Sequence, residues 1–458
     1  MRLLGAVLAA VLTVTLAPQA NAATGPSVEG PVTGGRFGIP FTASPVPLDA
    51  KGYTEQEYFF GGMATGYEQS GVWTSDGRWS VTPGEQAPYE TRMLVRRPAD
   101  PKKFNGTVVV EWLNVTAGID IDPDFQYENE ELLREGFAWV GISAQATGVS
   151  ALKKIDPARY AQLSHPGDAF SYDIFSQAAE AIRQPDGVDP LQGLKPKALV
   201  ADGESQSAFR MVTYANAIQP VQHLYDGFLI HSRQGAGAPI NSDPGEPSPV
   251  TWTRTDLPVP VLTVQTETDV LAPLNYYPAT QADNPHFRLW EIPGTSHVDA
   301  HEQQLGHVEI SRFIPNAPFP QCDLPSNDGQ QRYVMDTALA RLNLWIRLGI
   351  APPKADRIDI AGTPPAMRRD QYGNAEGGIR TPTLQAPTET LTGTGNTGNT
   401  SQCQLFGTTT PFTAEELATL YPTHADYVAK VAAAATHDVL KGFLLPADAA
   451  EIVDDAVH

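Results

Sequence analysis

The stretch KALVADGESQSA, residues 197–208, carries the strongest structural information in this 458-residue chain. Its mostly apolar start, KALVA, predicts a buried strand, and a helical run begins after GESQSA. A serine between small residues at a strand-turn-helix junction is the arrangement that exposes a nucleophile on a strained turn. Gly203 and Ser207 are the small residues here. Ser205 is therefore the candidate nucleophile, although a serine in such surroundings is by itself more often an ordinary turn or helix cap.

A carboxylate loop follows a later strand. In TVQTETDVLAP, residues 263–273, the strand ends, two acidic residues follow and proline closes the turn. Asp269 is the expected partner of a catalytic histidine because of its position after the strand. Glu267 stays open as an alternative, since the carboxylate only has to orient and stabilise an imidazole.

A histidine ends the loop after the last predicted strand. In WEIPGTSH, residues 290–297, a glycine turn leads to His297, the candidate general base. His301 and His307 are expected to be structural or solvent-exposed. Ser205, Asp269 and His297 thus occur in the order Ser, Asp, His, each beyond the carboxyl end of a predicted strand, and that combination seldom arises by chance.

Acyl transfer to serine also requires hydrogen-bond donors for the developing oxyanion. The backbone N–H of Gln206, at the start of the helix, is the first expected donor. The second is expected from the loop after the TVVVEW strand (residues 107–112), at Asn114 or Val115. This loop has no glycine-rich oxyanion signature.

Short apolar runs alternate with helical patterns along the chain, which predicts an α/β fold with a mostly parallel sheet covered on both faces. The expected strands are residues 107–112, 137–143, 197–201, 227–231, 259–265 and 287–292, and the expected helices are residues 126–134, 169–183, 331–348, 414–420 and 425–435.

These elements resemble the α/β-hydrolase superfamily, and the elbow is similar to the GxSQGA form of cutinase-like esterases. Four further segments resemble the bacterial alpha/beta hydrolase domain-containing proteins: VEWLNVTAGID (110–120), DQYGNAEGGIR (370–380), CQLFGTTTPF (403–412) and GFLLPADA (442–449). The resemblance covers most of the chain. It implies an α/β-hydrolase fold and carboxylic-ester chemistry, but it supplies no substrate.

The chain is expected to contain three parts. A cleavable signal peptide is predicted over residues 1–22, because Arg2 is followed by an apolar run that ends in Ala20-Asn21-Ala22. The apolar run is too short for a transmembrane helix. Residues 23–350 would form the catalytic domain. Residues 351–458, rich in Pro, Gly and Thr at first, would form a C-terminal extension on the core and a possible lid. GNAEGGIR (373–380) is either a glycine turn on the surface or a lid segment whose Arg380 meets an acidic group of the substrate or of the protein. The expected location is secreted, extracellular or periplasmic.

Net charge and cysteine content bear on the expected partners, the disulfide and metal binding. The formal net charge is −21 with scattered acidic residues, which argues against a nucleic-acid partner. Cys322 and Cys403, the only cysteines, are expected to form a disulfide in an oxidising compartment. They lack the neighbouring ligands of a metal site, and neither a metal nor a cofactor is expected.

The favoured function is an esterase acting on a small-molecule or polymeric ester through a Ser-His-Asp triad and an acyl-enzyme. A serine peptidase or an acyltransferase would use the same residues. A non-catalytic ligand-binding protein on a hydrolase scaffold is the alternative from another class.

Overall fold

The fold is organised around a ten-stranded sheet in a computed structural model that describes residues 25–241 and 250–458. The predicted signal peptide, residues 1–22, lies outside the described residues. Across the part that is described, no helix combines the length and the apolar character that a bilayer crossing requires.

The sheet has the strand order β10-β9-β8-β7-β4-β5-β3-β2-β1-β6. The six strands from β10 to β5 are parallel, whereas β3, β2 and β1 extend the sheet by antiparallel pairing. The ten strands are β1 Ser27–Glu29, β2 Tyr53–Ser70, β3 Ser80–Pro98, β4 Thr107–Trp112, β5 Ala138–Ile142, β6 Asp186–Gly187, β7 Ala198–Glu204, β8 Gly227–His231, β9 Val261–Thr266 and β10 Phe287–Ile292. Two small hairpins lie outside it, namely β11 Ile360–Ala361 with β12 Ala366–Met367, and β13 Glu389–Thr392 with β14 Thr408–Pro411.

Helices connect the parallel strands and form the C-terminal region. They are α1 Pro123–Glu135, α2 Ala146–Ile155, α3 Pro157–Tyr160, α4 Ser171–Arg183, α5 Gln206–Thr213, α6 Gln219–Gln222, α7 Glu267–Val270, α8 Ala300–Ser311, α9 Gln331–Leu348, α10 Pro382–Gln385, α11 Ala414–Leu420, α12 His424–Lys441 and α13 Pro446–Val457. A π-helical turn, Tyr214–Ile218, joins α5 to α6, and 3₁₀ turns occur at Asp49–Lys51, Pro101–Lys103, Asp168–Phe170, Tyr277–Ala279 and Ser401–Leu405.

The sheet separates two hydrophobic cores because successive residues of a strand face opposite sides. Val108 and Val110 of β4 belong to the core that includes residues of α4 and α5. Val109 belongs to the other core, which includes residues of α1 and α9. The prediction of a mostly parallel sheet with helices on both faces is therefore confirmed.

Buried arginines of β3 join the long β2–β3 hairpin to the loop after β4. The Arg92 guanidinium donates to Glu57 at 3.0 Å and to Asp120 at 3.1 Å, with all three side chains buried. Arg96 lies over the rings of Phe125 and Trp139, 3.9 and 4.3 Å from their centroids. Buried charges are tolerated when they are paired and hydrogen-bonded. The hairpin thus holds Asp120, and with it the loop that was expected to supply an oxyanion donor.

Residues beyond 350 contact the loops at the carboxyl ends of β9 and β10. Arg369 forms an ion pair with Glu267 at 2.6 Å, and the Val298 N–H donates to the Leu405 carbonyl at 3.1 Å. Arg380 pairs with Asp370 at 2.7 Å, so its acidic partner belongs to the protein. The C-terminal region therefore supports the loop that follows His297.

A disulfide links Cys322 to Cys403, 81 residues apart in sequence. It joins the loop after α8 to the 3₁₀ turn Ser401–Leu405. Two chain segments that both follow the His297 loop in sequence are thereby covalently connected.

Glu291, a buried residue of β10, is expected to make stability fall as pH rises. Its carboxylate accepts the Ile358 N–H at 2.8 Å, and burial raises its pKa from 4.5 to about 7. Between those pH values the folded protein keeps a proton that the unfolded chain releases, so the stabilisation present below pH 4.5 is lost as pH rises through 7. The variant Glu291→Gln cannot ionise. The difference in free energy of unfolding between Glu291→Gln and the wild type should therefore rise by about 3 kcal/mol, in favour of the variant, as the pH is raised from acidic to mildly alkaline values.

Urea unfolding at a series of pH values measures this difference. Glu415→Gln, at an exposed position of α11, is the matched control and should run parallel to the wild type. A Glu291→Gln profile parallel to both would show that Glu291 does not retain its proton.

Candidate functional site

Ser205 occupies a sharp turn between β7 and α5. Its backbone lies at φ 56° and ψ −114°, a conformation that costs about 1–3 kcal/mol for a non-glycine residue. A Cβ on Gly203 would lie 3.1 Å from Cβ of Ser207 and 3.1 Å from Cγ of Met211, which is tighter than ordinary contact. Small residues at 203 and 207 therefore allow the strand and the helix to meet at this serine.

Ser205, His297 and Asp269 form a continuous hydrogen-bonded chain. His297 Nε2 lies 2.7 Å from Ser205 Oγ, and His297 Nδ1 lies 2.7 Å from Asp269 Oδ1. His297 and Asp269 are buried, while Ser205 is partly exposed. These distances suit proton transfer from a serine to an imidazole that a carboxylate orients.

Asp269 is held in place from its own loop. Its Oδ2 accepts from the Thr266 N–H at 2.6 Å and from the Thr266 hydroxyl at 2.7 Å. Burial alone would raise the pKa of Asp269. The His297 charge and the hydrogen bonds from His297 and Thr266 outweigh burial, and its pKa lies below the ordinary value of 3.8. An ionised carboxylate therefore faces His297 Nδ1.

Glu267, the alternative acid, points elsewhere. Its carboxylate accepts from the N–H groups of Gly294 at 2.9 Å and Gly393 at 3.1 Å, and it pairs with Arg369. Glu267 thus connects the acid loop, the histidine loop and the C-terminal region. Of the two candidate acids, Asp269 is the one in contact with His297.

Glu204, immediately before the serine, is a site residue that the sequence interpretation missed. Its Oε1 lies 3.2 Å from His297 Nε2, and its Oε2 accepts from the side-chain amide of Asn114 at 3.0 Å. Burial raises the pKa of Glu204 well above its ordinary value, and the nearby carboxylates of Glu302, Asp124 and Asp269 act in the same direction. Its place next to Ser205 was the available signal, but a residue at the end of a buried strand usually has a packing role.

The expected oxyanion donors differ in whether the protein already supplies them with an acceptor. Gln206 is the first residue of α5, where backbone N–H groups have no partner within the helix. The Asn114 N–H donates to the Ile121 carbonyl, and the Asn114 side-chain amide donates to the Glu204 carbonyl and carboxylate. Both donor groups of Asn114 are therefore engaged with protein acceptors in this structure.

Val115, the other expected position, has a free backbone donor. The neighbouring N–H groups of Leu113, Asn114 and Thr116 donate to Ile142, Ile121 and the Asn114 side chain. Within the described ranges, no acceptor contacts the Val115 N–H. Of the two expected positions, Val115 is therefore the one whose backbone donor is unpaired.

Ser205 and His297 line a cavity of about 620 Å³. Its walls come from the loop after β4, from α8 with the loop that follows it, and from the 3₁₀ turn near Cys403. His307 lines it too and packs against Phe319 at 4.3 Å between ring centroids, whereas His301 contacts the Gln126 carbonyl. A cavity of this size is typical of small-molecule sites.

One group of carboxylates has a spacing that would suit a metal ion, namely Glu130, Asp336 and Asp448. Arg332 pairs with Glu130 at 2.8 Å and Arg134 with Asp448 at 2.9 Å, so two of the three already have cationic partners. None of the three lines the cavity beside Ser205.

Comparison with known families agrees with this architecture. A family model described as "Alpha/beta hydrolase domain" matches residues 28–454. The chain belongs to this alpha/beta hydrolase family. The match includes most of the C-terminal region as well as the sheet and its loops. No curated protein matches the chain.

Solved structures similar to this alpha/beta hydrolase are distant. One is the α/β serine hydrolase XC6422 from Xanthomonas campestris, described as lacking a lid, with 13% identity, a TM-score of 0.31 and coverage of 55% of this chain and 97% of that one. Another is a putative dienelactone hydrolase from Klebsiella pneumoniae, with 14% identity, a TM-score of 0.29 and coverage of 56% and 99%. The esterase Est22 shows 11% identity, a TM-score of 0.32 and coverage of 62% and 80%.

Proposed function

We propose that this alpha/beta hydrolase is an exported serine hydrolase that cleaves carboxylic esters. The observation that supports it is the unbroken chain from Asp269 through His297 to Ser205, which opens at its serine end into the 620 Å³ cavity. A hydroxyl 2.7 Å from an imidazole nitrogen is in position to lose its proton as it attacks a carbonyl.

In this proposal Ser205 Oγ attacks the ester carbonyl while His297 Nε2 accepts the serine proton. The Asp269 carboxylate holds Nδ1–H and stabilises the imidazolium. His297 then donates the proton to the departing alcohol, leaving an acyl-enzyme on Ser205. Water attacks the acyl carbon while His297 accepts its proton, and the bond from that carbon to Ser205 Oγ then breaks as His297 returns the proton to Oγ and the acid leaves.

The negative charge of each tetrahedral stage is placed near the backbone N–H groups of Gln206 and Val115. Loss of one such donor lowers kcat about 100- to 1000-fold in serine hydrolases. Asn114 is a positioning residue here, because its side-chain amide ties the loop after β4 to Glu204 beside the nucleophile.

Export is part of the same proposal. The basic and apolar start of the chain supports a signal peptide over residues 1–22. The Cys322–Cys403 disulfide is compatible with an oxidising compartment, where such bonds persist.

Active-site labelling tests the proposal directly. Protein from Ala23 onward is treated with a fluorophosphonate probe, and labelled peptides are located by mass spectrometry. We expect one label at Ser205, absent from the Ser205→Ala variant. A folded sample that remains unlabelled would favour the ligand-binding alternative, and a label at another serine would overturn the assignment of the nucleophile.

A further inference from the structure

The walls of the cavity beside Ser205 are apolar over most of their extent. The loop after β4 contributes Ile119 and Ile121, and the turn near Cys403 contributes Leu405 and Phe406. A third apolar wall comes from the C-terminal end of α8 and mainly from the loop that follows it, and it includes Ile310, Ile314, Pro318, Phe319 and Pro320. A ligand in this cavity therefore exchanges water mainly for hydrocarbon, a transfer that favours apolar groups.

Apart from His297 and His307, the ionisable residues that line the cavity are acidic. Glu204 and Glu302 are its two carboxyl groups, and no lysine or arginine lines the cavity within the described ranges. Glu204 accepts from Asn114, and Glu302 accepts from the Tyr127 hydroxyl at 3.0 Å. An anionic substrate would lose hydration here without gaining a lysine or arginine partner, which is unfavourable.

The disulfide connects two of the apolar walls. Cys322 follows the Pro318–Pro320 stretch by two residues, and Cys403 lies within the turn that places Leu405 and Phe406. This cross-link limits how far the two apolar walls can move apart.

We propose that the site takes uncharged esters bearing an apolar chain of medium length and rejects esters that carry an ionised carboxylate in addition to the ester group. This inference rests on the proposed ester hydrolysis at Ser205, and it adds the substrate class. The apolar chain lies between α8 and the Leu405–Phe406 turn, while the ester carbonyl lies at Ser205.

Two homologous series test the substrate class: ethyl esters of acids from acetate to decanoate, and alkyl acetates with alcohols of the same lengths. Each methylene buried in an apolar cavity should raise kcat/KM about fourfold in at least one series until the cavity is full. Monoethyl adipate should be at least about tenfold poorer than ethyl hexanoate. Rates independent of chain length in both series, or equal rates for the neutral and ionised esters, would overturn the inference.

A substitution in α8 tests where the chain lies. Gly306 lines the cavity, and a Cβ placed there would meet only Gln126, at 3.6 Å, so a side chain has room to enter. Gly306→Leu should lower kcat/KM for long-chain esters about tenfold relative to ethyl acetate, and Gly306→Ala should have a smaller effect in the same direction. Val308→Leu is the matched control, since Val308 is on the same helix, 43% exposed and outside the cavity lining. An unchanged chain-length preference in folded Gly306→Leu would place the chain elsewhere and contradict this arrangement.

A variant at an exposed position tests the predicted rejection of anionic esters. Gln304, an exposed residue of α8 that lines the cavity, is replaced in Gln304→Arg to provide the missing cation. The ratio of kcat/KM for monoethyl adipate to that for ethyl hexanoate should rise about two- to fivefold. An unchanged ratio would contradict the view that a missing cation excludes anionic esters.

These outcomes separate the two proposals. If wild-type protein hydrolyses no ester of either series and Ser205 is not labelled by fluorophosphonate, the proposed function itself fails. If esters are hydrolysed but chain length and charge have no effect, ester hydrolysis stands and the substrate class is wrong.

Discussion

Replacing Ser205 with alanine is expected to lower kcat for any ester that the protein hydrolyses by about a millionfold, with little change in KM. The serine supplies the attacking oxygen, and removal of such a nucleophile elsewhere has an effect of this size. Its Oγ contacts His297 Nε2 at 2.7 Å, so the hydroxyl lies where both attack and proton transfer would occur. Steady-state kinetics with purified Ser205→Ala, together with its melting temperature, measure the effect and verify the fold.

Ser207→Ala, two residues further along the chain, provides a matched control. Ser207 is fully buried, and its hydroxyl has no hydrogen-bond partner in the described part of the chain. Alanine keeps the small size that the approach of Gly203 requires, so activity should stay within a few-fold of wild type. If Ser205→Ala kept more than about a hundredth of the wild-type kcat, another nucleophile would be responsible for hydrolysis.

The parallel strands and the three site loops could be predicted from the sequence because local pattern and local structure agree there. TVVVEW forms β4 over the predicted residues, and residues 331–348 form α9 as predicted. In a parallel sheet the loops after successive strands meet at one edge. The order of Ser205, Asp269 and His297 was therefore informative before any contact among them was known.

The β2–β3 hairpin was not predicted. These strands, Tyr53–Ser70 and Ser80–Pro98, contain glycine, proline and several charged residues, which weaken the alternation by which a strand is recognised. Arg92 and Arg96 would be expected at the surface from sequence alone. Their burial depends on acidic partners from distant parts of the chain, which are Glu57 and Asp120 for Arg92 and Glu55 and Asp122 for Arg96.

Two further features could not be predicted from the sequence pattern. They are the existence of α8 and which of Asn114 and Val115 has an unpaired oxyanion donor. The buried residues of α8 are Glu302 and Glu309, so the face that packs on the protein is polar and no apolar stripe reveals the helix. Likewise, Asn114 and Val115 are adjacent in sequence, and only the pairing of Asn114 with Ile121 and Glu204 distinguishes their roles. Such distinctions depend on tertiary hydrogen bonds.

Replacing Asp269 with asparagine is expected to lower kcat about 10 000-fold while leaving the fold intact. Asp269 Oδ2 accepts two hydrogen bonds from Thr266, so the carbonyl oxygen of an asparagine would take that position and its amide group would face His297. The amide would then donate to Nδ1, the imidazole proton would move to Nε2, and His297 could no longer accept the proton of Ser205. The measurement is kcat at neutral pH, with the melting temperature as a check of folding.

Glu267→Gln is the control that separates the two acidic residues of the loop. Glu267 accepts from Gly294 and Gly393 and pairs with Arg369, so its replacement should lower the free energy of unfolding by about 1–3 kcal/mol. Because Glu267 does not contact His297, kcat should fall less than tenfold. The reverse result, a large loss of kcat in folded Glu267→Gln with Asp269→Asn nearly active, would assign the acid to Glu267. Near-wild-type kcat in both variants would mean that His297 needs neither carboxylate, because the hydrogen bond that Asp269 accepts from His297 Nδ1 would then have no part in orienting the imidazole.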